Sequence, residues 1–115
     1  VQGGSNIIKL RGRSSFQSPA YNAVKMIEAA MGGEKFTLPA GCYVNDEKLG
    51  FKNVMMAMPT TIDNTGVHYT EPKGTAEEMA SLKASYDHLC KMREEIISLN
   101  IVPAVADWKK DNANL

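Results

Sequence analysis

The sequence predicts an α+β fold, an antiparallel three-stranded meander packed against a proline-started helix and a long C-terminal helix. Two observations carry this expectation. Apolar residues recur at helical spacing over residues 19–31 and again over 79–96. Between those blocks the repeat drops to two, the period of a half-buried strand, and polar turn segments interrupt it twice. A length of 115 residues corresponds to about one domain.

The elements follow in order. GGSNIIKL reads as a short helix capped by Ser5, with Ile7, Ile8 and Leu10 apolar and Gly12 at its end; a short strand is the alternative. A polar loop, RGRSS, leads into the next helix. There Ser18 is placed as the N-cap and Pro19 as the first helical residue, where a missing N–H costs nothing. Ala20, Val24, Ile27 and Met31 form its expected buried stripe, and Gly32 and Gly33 stop it. In KFTLPAGCYVND, Phe36, Leu38, Ala40, Cys42 and Val44 fall on one side of an extended chain, and Pro39 marks an edge or a bulge. NDEKLG turns the chain into FKNVMMAMPTTID, apolar through its centre and so expected to be covered on both faces. DNTG then leads to a third strand, GVHYTEP. Thr75 and Glu78 form a capping box for the long helix, whose stripe is Met79, Leu82, Tyr86, Leu89, Met92 and Ile96. IVPAVADWKKDNANL closes the chain as a proline-interrupted tail whose lone tryptophan, Trp108, is expected to dock on its own domain. Three strands with an apolar centre make an incomplete core, so part of the cover is expected from sequence outside this chain.

Composition narrows the function classes. Hydrophobic residues make up 43% and charged residues 23%, with a net charge of zero. That balance offers no basic footprint for nucleic acid and no membrane-surface patch. No apolar run approaches the ~18 residues of a membrane span, and the N-terminus lacks the pattern of a signal peptide. Cys42 and Cys90 form no CxxC and sit in apolar stretches, the setting of buried free thiols in a reducing compartment; a disulfide is the alternative. These features suggest a cytoplasmic protein.

Few residues carry chemistry. His68 and His88 have no Asp, Glu or Cys at a metal-site spacing and read as structural or solvent-exposed. Cys42 has no neighbouring base, so nucleophilic catalysis is not expected of it. The glycine pairs at 3–4 and 32–33 do not follow a strand and open no βαβ unit, so they do not form a dinucleotide loop. What remains is the loop before the second helix. Ser14, Ser15 and Ser18 stand at a helix N-terminus beside Arg11 and Arg13. They read either as turn and cap residues or as one wall of a carboxylate pocket, because helix N–H groups and guanidinium both favour an anion.

RSSFQSPAYNAVKMIEAAMGGEKFTLPAGCYVNDE followed by VMMAMPTTIDNTGVHY resembles the C-terminal, substrate-binding domain of the lactate/malate dehydrogenase family, nearest its bacterial malate dehydrogenases. The succession of elements matches over about residues 3–99. The resemblance implies a substrate domain over 1–99, truncated at its N-terminus before Val1, and a C-terminal tail over 100–115. It implies that Ser15 lines the substrate pocket near a nicotinamide, with Ser14 adjacent and Ser18 at the start of the framing helix. Arg13 stands where the family usually has glycine, and Ala57-Met58-Pro59 stands where it has Gly-Val-Pro. The family's dinucleotide loop, substrate-binding arginines and catalytic His–Asp pair would then lie upstream of Val1, leaving no catalytic residue here. The implied whole protein is an NAD-dependent malate dehydrogenase of the tricarboxylic acid cycle, homo-oligomeric, acting on a small 2-hydroxy/2-oxo dicarboxylic acid. In such an enzyme a histidine takes the hydroxyl proton, hydride passes to the nicotinamide and an arginine pairs with the substrate carboxylate. The fragment alone would be inactive. A lactate or other 2-hydroxy-acid dehydrogenase, and a non-catalytic interaction domain with this fold, are the alternatives.

Overall fold

A computed structural model describes residues 2–113; Val1 and the last two positions, where the expected domain and tail begin and end, lie outside the described residues. The order is α1 (Gly3–Arg11), α2 (Gln17–Ala30), β1 (Ala40–Asp46), β2 (Phe51–Met58), β3 (Thr60–Asp63), β4 (Gly66–Tyr69) and α3 (Ala76–Ser98). A 3-10 turn (Val105–Asp107) and α4 (Trp108–Asp111) follow. This is the expected α+β arrangement of antiparallel strands and helices. The long second extended run is divided at Pro59, which donates no ladder hydrogen bond. Strands pair as two antiparallel hairpins, β1 with β2 and β3 with β4. The chain forms two compact units, one of residues up to Thr37 with Thr61–His68, the other of Leu38–Thr60 with Tyr69 onward.

In the first unit α1 is helical, so the strand alternative falls. Ser5 lies inside the helix rather than at its cap, which is Gln2, and Gly12 ends it at φ 70° with its N–H on Ile8 O at 2.8 Å. The second helix begins two residues earlier than expected. Phe16 is its N-cap, so Ser18 and Pro19 sit within the first turn. Pro19 is tolerated there because the N–H groups of a first turn have no intrahelical partner. Its end matches expectation. Gly32, at φ 91°, donates to Ala29 O at 3.1 Å and Gly33 donates to Glu28 O at 2.9 Å, the paired bonds of a left-handed helix stop. The expected buried stripe is not buried: Val24 is 61% exposed, Ile27 58% and Met31 83%, and Ala20 is exposed as well. Spacing reports which residues share a face, not whether the unit supplies an element to cover it. Ala29 is the fully buried residue of α2. Phe36 and Ile62, both buried, join through reciprocal backbone hydrogen bonds of 3.1 and 2.8 Å.

The second unit holds a contiguous core of Cys42, Val44, Phe51, Val54, Met56 and Met58, with Leu49, Tyr69, Leu82, Tyr86 and Leu89 packed against it. The inward positions of β1 are Ala40, Cys42 and Val44, as the alternation predicts, whereas Leu38 is exposed and precedes the strand. Cys42 packs in this core: its Sγ lies 3.0 Å from Thr60 Oγ1, and the Thr60 hydroxyl donates to Met58 O at 2.8 Å. Both cysteines are free thiols, Cys42 buried and Cys90 half-buried.

β2 is covered on one face rather than two, since Met55 is 60% exposed between buried Val54 and Met56. Its inward residues are Phe51, Val54, Met56 and Met58, so the alternation slips once. The register explains the slip. Val44 faces Val54 but Asp46 faces Phe51, so Lys52 and Asn53 together oppose the single residue Asn45. This is a β-bulge, and Asn53 adopts φ 52° within it. Asparagine tolerates that left-handed backbone better than most residues. The bulge is tied down from α3: Arg93 Nη1 donates to Lys52 O at 3.1 Å and Asn53 O at 2.7 Å, and Lys52 N–H donates to Tyr86 Oη at 3.1 Å.

α3 begins as the sequence predicts. Thr75 Oγ1 accepts from Glu78 N–H at 3.2 Å, and Thr75 N–H donates to the Glu78 carboxylate at 2.7 Å. That pairing holds the Glu78 carboxyl below its usual range. Met79, Leu82, Tyr86 and Leu89 are half-buried, while Met92 and Ile96 are exposed at 50% and 39%. Trp108 docks within its own unit, as expected, with its ring 6.5 Å from that of Tyr43 and Nε1–H donating to Pro103 O at 2.8 Å.

Candidate functional site

The four residues singled out for a substrate pocket share one short stretch between α1 and α2. After Gly12 the chain runs through Arg13, Ser14 and Ser15 to Phe16, and Ser18 lies in the first turn of α2. Ser15 is half-buried, whereas Arg13, Ser14 and Ser18 are exposed. The guanidinium carbons of Arg11 and Arg13 each lie 5.4 Å from the centroid of the Phe16 ring, which fixes two cations beside the loop. Arg11 also donates to Gln17 Oε1 at 3.1 Å. The N-cap Phe16 makes no side-chain cap bond, so the N–H groups of Gln17 and Ser18 at the start of α2 have no partner from that cap. Such an assembly can attract and hydrogen-bond a carboxylate, but it contains no base able to accept a proton from substrate.

The histidines stand elsewhere. His88 is exposed on α3, and His68 lies near the turn between β3 and β4. At that turn Thr65 N–H and Oγ–H both donate to Asp63, and Thr65 Oγ1 is 2.8 Å from His68 Nε2. Lys35 pairs with the same carboxylate at 3.0 Å. The arrangement superficially resembles a catalytic chain, but the threonine hydroxyl is committed to the carboxylate and the group closes a tight turn. Among the described residues no three His, Cys, Asp or Glu side chains gather to hold a metal ion.

The Thr65 hydroxyl, then its N–H, then the Lys35 ammonium hold the Asp63 carboxyl far below the usual carboxylate range. A carboxyl whose folded-state pKa is depressed stabilises the fold above its unfolded value, near 3.9, and loses that contribution as pH falls below it. The expected result is an Asp63→Asn variant less stable than the parent at neutral pH, with the gap closing as pH drops from about 4 toward 2. Urea unfolding at several pH values measures it, and a gap that widens in acid would refute the assignment.

Sequence reading passed over the polar contacts of the second unit. Arg93 and Asn53 gave no motif; the one visible signal was Lys52-Asn53 breaking the alternation between Phe51 and Val54.

Comparison with known proteins agrees with the fold. Residues 1–99 match the family model described as the lactate/malate dehydrogenase alpha/beta C-terminal domain. The chain is similar to a malate dehydrogenase of Sorangium cellulosum, 34% identical over 85 residues, covering 73% of this chain and 27% of that protein. It is similar to malate dehydrogenases of Bacillus israeli, 31% over 98 residues (84% and 31%), and Geobacillus kaustophilus, 32% over 88 residues (75% and 28%). The chain thus spans less than a third of the length of these relatives. No helix among the described residues is long and apolar enough to cross a membrane.

Proposed function

The chain belongs to the lactate/malate dehydrogenase family, within its alpha/beta C-terminal domain, and on that premise we propose that it is the substrate-domain part of an NAD-dependent malate dehydrogenase. The observation that carries this reading is the family match over residues 1–99 together with relatives that are named malate dehydrogenases. The domain would occupy 1–99 and residues 100–115 would be a tail. The whole protein would interconvert malate and oxaloacetate by hydride transfer, as a cytoplasmic homo-oligomer.

The residues present do not fit a dinucleotide site of their own. Gly3 and Gly4 lie within α1, and Gly32 and Gly33 close α2 instead of opening a helix after a strand. NAD would therefore be held mainly by a part of the protein outside this chain, and it would supply the hydride chemistry when bound. The contribution of this chain is positioning. Ser15, half-buried in the loop, would shape the pocket and offer one hydrogen bond. Ser14 and Ser18 would line the same wall, and Arg13 would add positive charge toward a dicarboxylate.

The test is turnover of oxaloacetate with NADH by the whole protein that contains this chain, beside pyruvate and beside the 115-residue chain alone. Rapid turnover of oxaloacetate, little of pyruvate and none by the chain alone is the expected result. Preference for pyruvate would overturn the malate assignment in favour of a lactate dehydrogenase. A folded whole protein that turns over neither acid would leave a non-catalytic module.

A further inference from the structure

Residues 100–112 follow the part of the chain that matches the family model, and the end of α3 sets their course. Asn100 adopts φ 55° and its N–H donates to Ile97 O at 2.9 Å, while the Ile101 N–H reaches back to Ile96 O at 3.0 Å. These paired bonds are a Schellman stop, which reverses the chain as it leaves the helix. The tail then closes on itself. Asp107 N–H donates to Ala104 O at 2.8 Å, Asn112 N–H to Trp108 O at 2.9 Å, and Trp108 Nε1–H to Pro103 O at 2.8 Å. One turn of helix is not stable alone, so the tail depends on what it rests against.

That support lies on the outward face of the β1–β2 hairpin, within the same unit. Tyr43 and Asn53 are half-buried there, whereas Gly41, Met55 and Ala57 on that face are exposed. Cover is concentrated at the bulge. The Trp108 and Tyr43 rings stand 6.5 Å apart and inclined at 58°, a tilted arrangement that aromatic pairs favour. Tyr43 Oη–H donates to Asn53 Oδ1 at 2.6 Å, so the ring that supports the tail also holds the side chain of the left-handed residue. From α3, Arg93 Nη1 holds Asn53 O at 2.7 Å. The bulge is thus gripped from two sides, by α3 through its backbone and by the tail through Tyr43. A segment with one helical turn and one aromatic anchor opens more readily than a packed helix. We propose that residues 100–112 are a releasable strap: Trp108 holds the Tyr43 ring over Asn53, and when the tail lifts the bulge opens with it while α3 stays folded.

Hydrogen exchange read by mass spectrometry tests the strap in the whole protein that contains this chain, in rising urea below the unfolding range. The expected result is that amides of residues 52–54 become exchangeable together with those of 105–112, at lower urea than those of 82–93 in α3. Trp108→Ala should speed exchange at 52–54 about tenfold and leave 82–93 unchanged, because a buried contact between two rings is lost. Trp108→Phe keeps a ring against Tyr43 and should restore most of the protection. Tyr43→Phe keeps the ring contact but removes the hydroxyl that reaches Asn53. In that background Trp108→Ala should change exchange at 52–54 by less than about twofold, since the link is already cut. Circular dichroism checks the fold of each variant, and the urea series in the unmodified protein decides the question where a variant fails to fold. Protection at 52–54 that outlasts the tail's, or no change there in Trp108→Ala, would overturn the proposal. So would equal acceleration of 52–54 and 82–93, or an undiminished effect of Trp108→Ala in the Tyr43→Phe background.

Discussion

Phe51→Ala is expected to remove about 3–5 kcal/mol of stability, the range for deleting a buried aromatic side chain. Phe51 is 4% exposed, and its ring packs 4.8 Å, centroid to centroid, from that of Tyr86. It therefore joins the hairpin to α3, and its removal opens a cavity at the join. Tyr86 cannot follow the missing ring inward without breaking the bond it accepts from Lys52 N–H. A domain's whole stability is about 5–15 kcal/mol, so the variant should be largely unfolded under mild denaturant. Leu38→Ala supplies the contrast. Both residues sit in apolar stretches of sequence, but Leu38 is 54% exposed and should shift stability by no more than about 0.5 kcal/mol. Urea unfolding followed by Trp108 emission measures both, and Trp108 lies in the same unit as Phe51. A loss below about 1 kcal/mol for Phe51→Ala would show that its ring is not part of a close-packed core.

That contrast marks what was legible in the sequence. Local chemistry was readable: the Thr75–Glu78 capping box, the glycines that stop α2, the turns before β2 and β4, and the inward face of β1 are all where their residues place them. These signals act over a few residues and need no partner. Cover was not readable. Val24, Ile27 and Met31 keep helical spacing yet stay exposed, and the run VMMAM suggested two covered faces where only one is buried. Burial depends on which distant element arrives, and no local pattern encodes that. Cap position erred for a related reason: serine is a good cap, but α2 starts at Gln17 and leaves Ser18 inside the first turn. Ser14, Ser15, Ser18 and Arg13 came from family resemblance and a helix start; Arg13, Ser14 and Ser15 lie on the loop before α2 and Ser18 in its first turn, with Arg11 and Arg13 beside the Phe16 ring. The bulge was the feature most thoroughly hidden, because a single polar pair in a strand carries little signal.

The bulge also gives the sharpest test of how the hairpin is held. Asn53→Val is expected to cost about 2–4 kcal/mol, from two separable causes. A β-branched residue at φ 52° meets its own backbone, a strain of about 1–3 kcal/mol. Loss of the acceptor for Tyr43 Oη–H adds about 0.5–1.5 kcal/mol. Asn53→Gly separates them, since glycine adopts the left-handed backbone without a clash and loses only the side-chain bond. It should cost about 1 kcal/mol, well below valine. Arg93→Ala attacks the same feature from α3 by removing the donors to Lys52 O and Asn53 O, and it too should destabilise. Combined with Asn53→Val the two losses should fall short of their sum, because each disrupts the same turn of backbone. Equal losses for valine and glycine would place the whole effect in the Tyr43 bond and remove the argument from backbone conformation. Strict additivity with Arg93→Ala would show that α3 and the bulge are held independently.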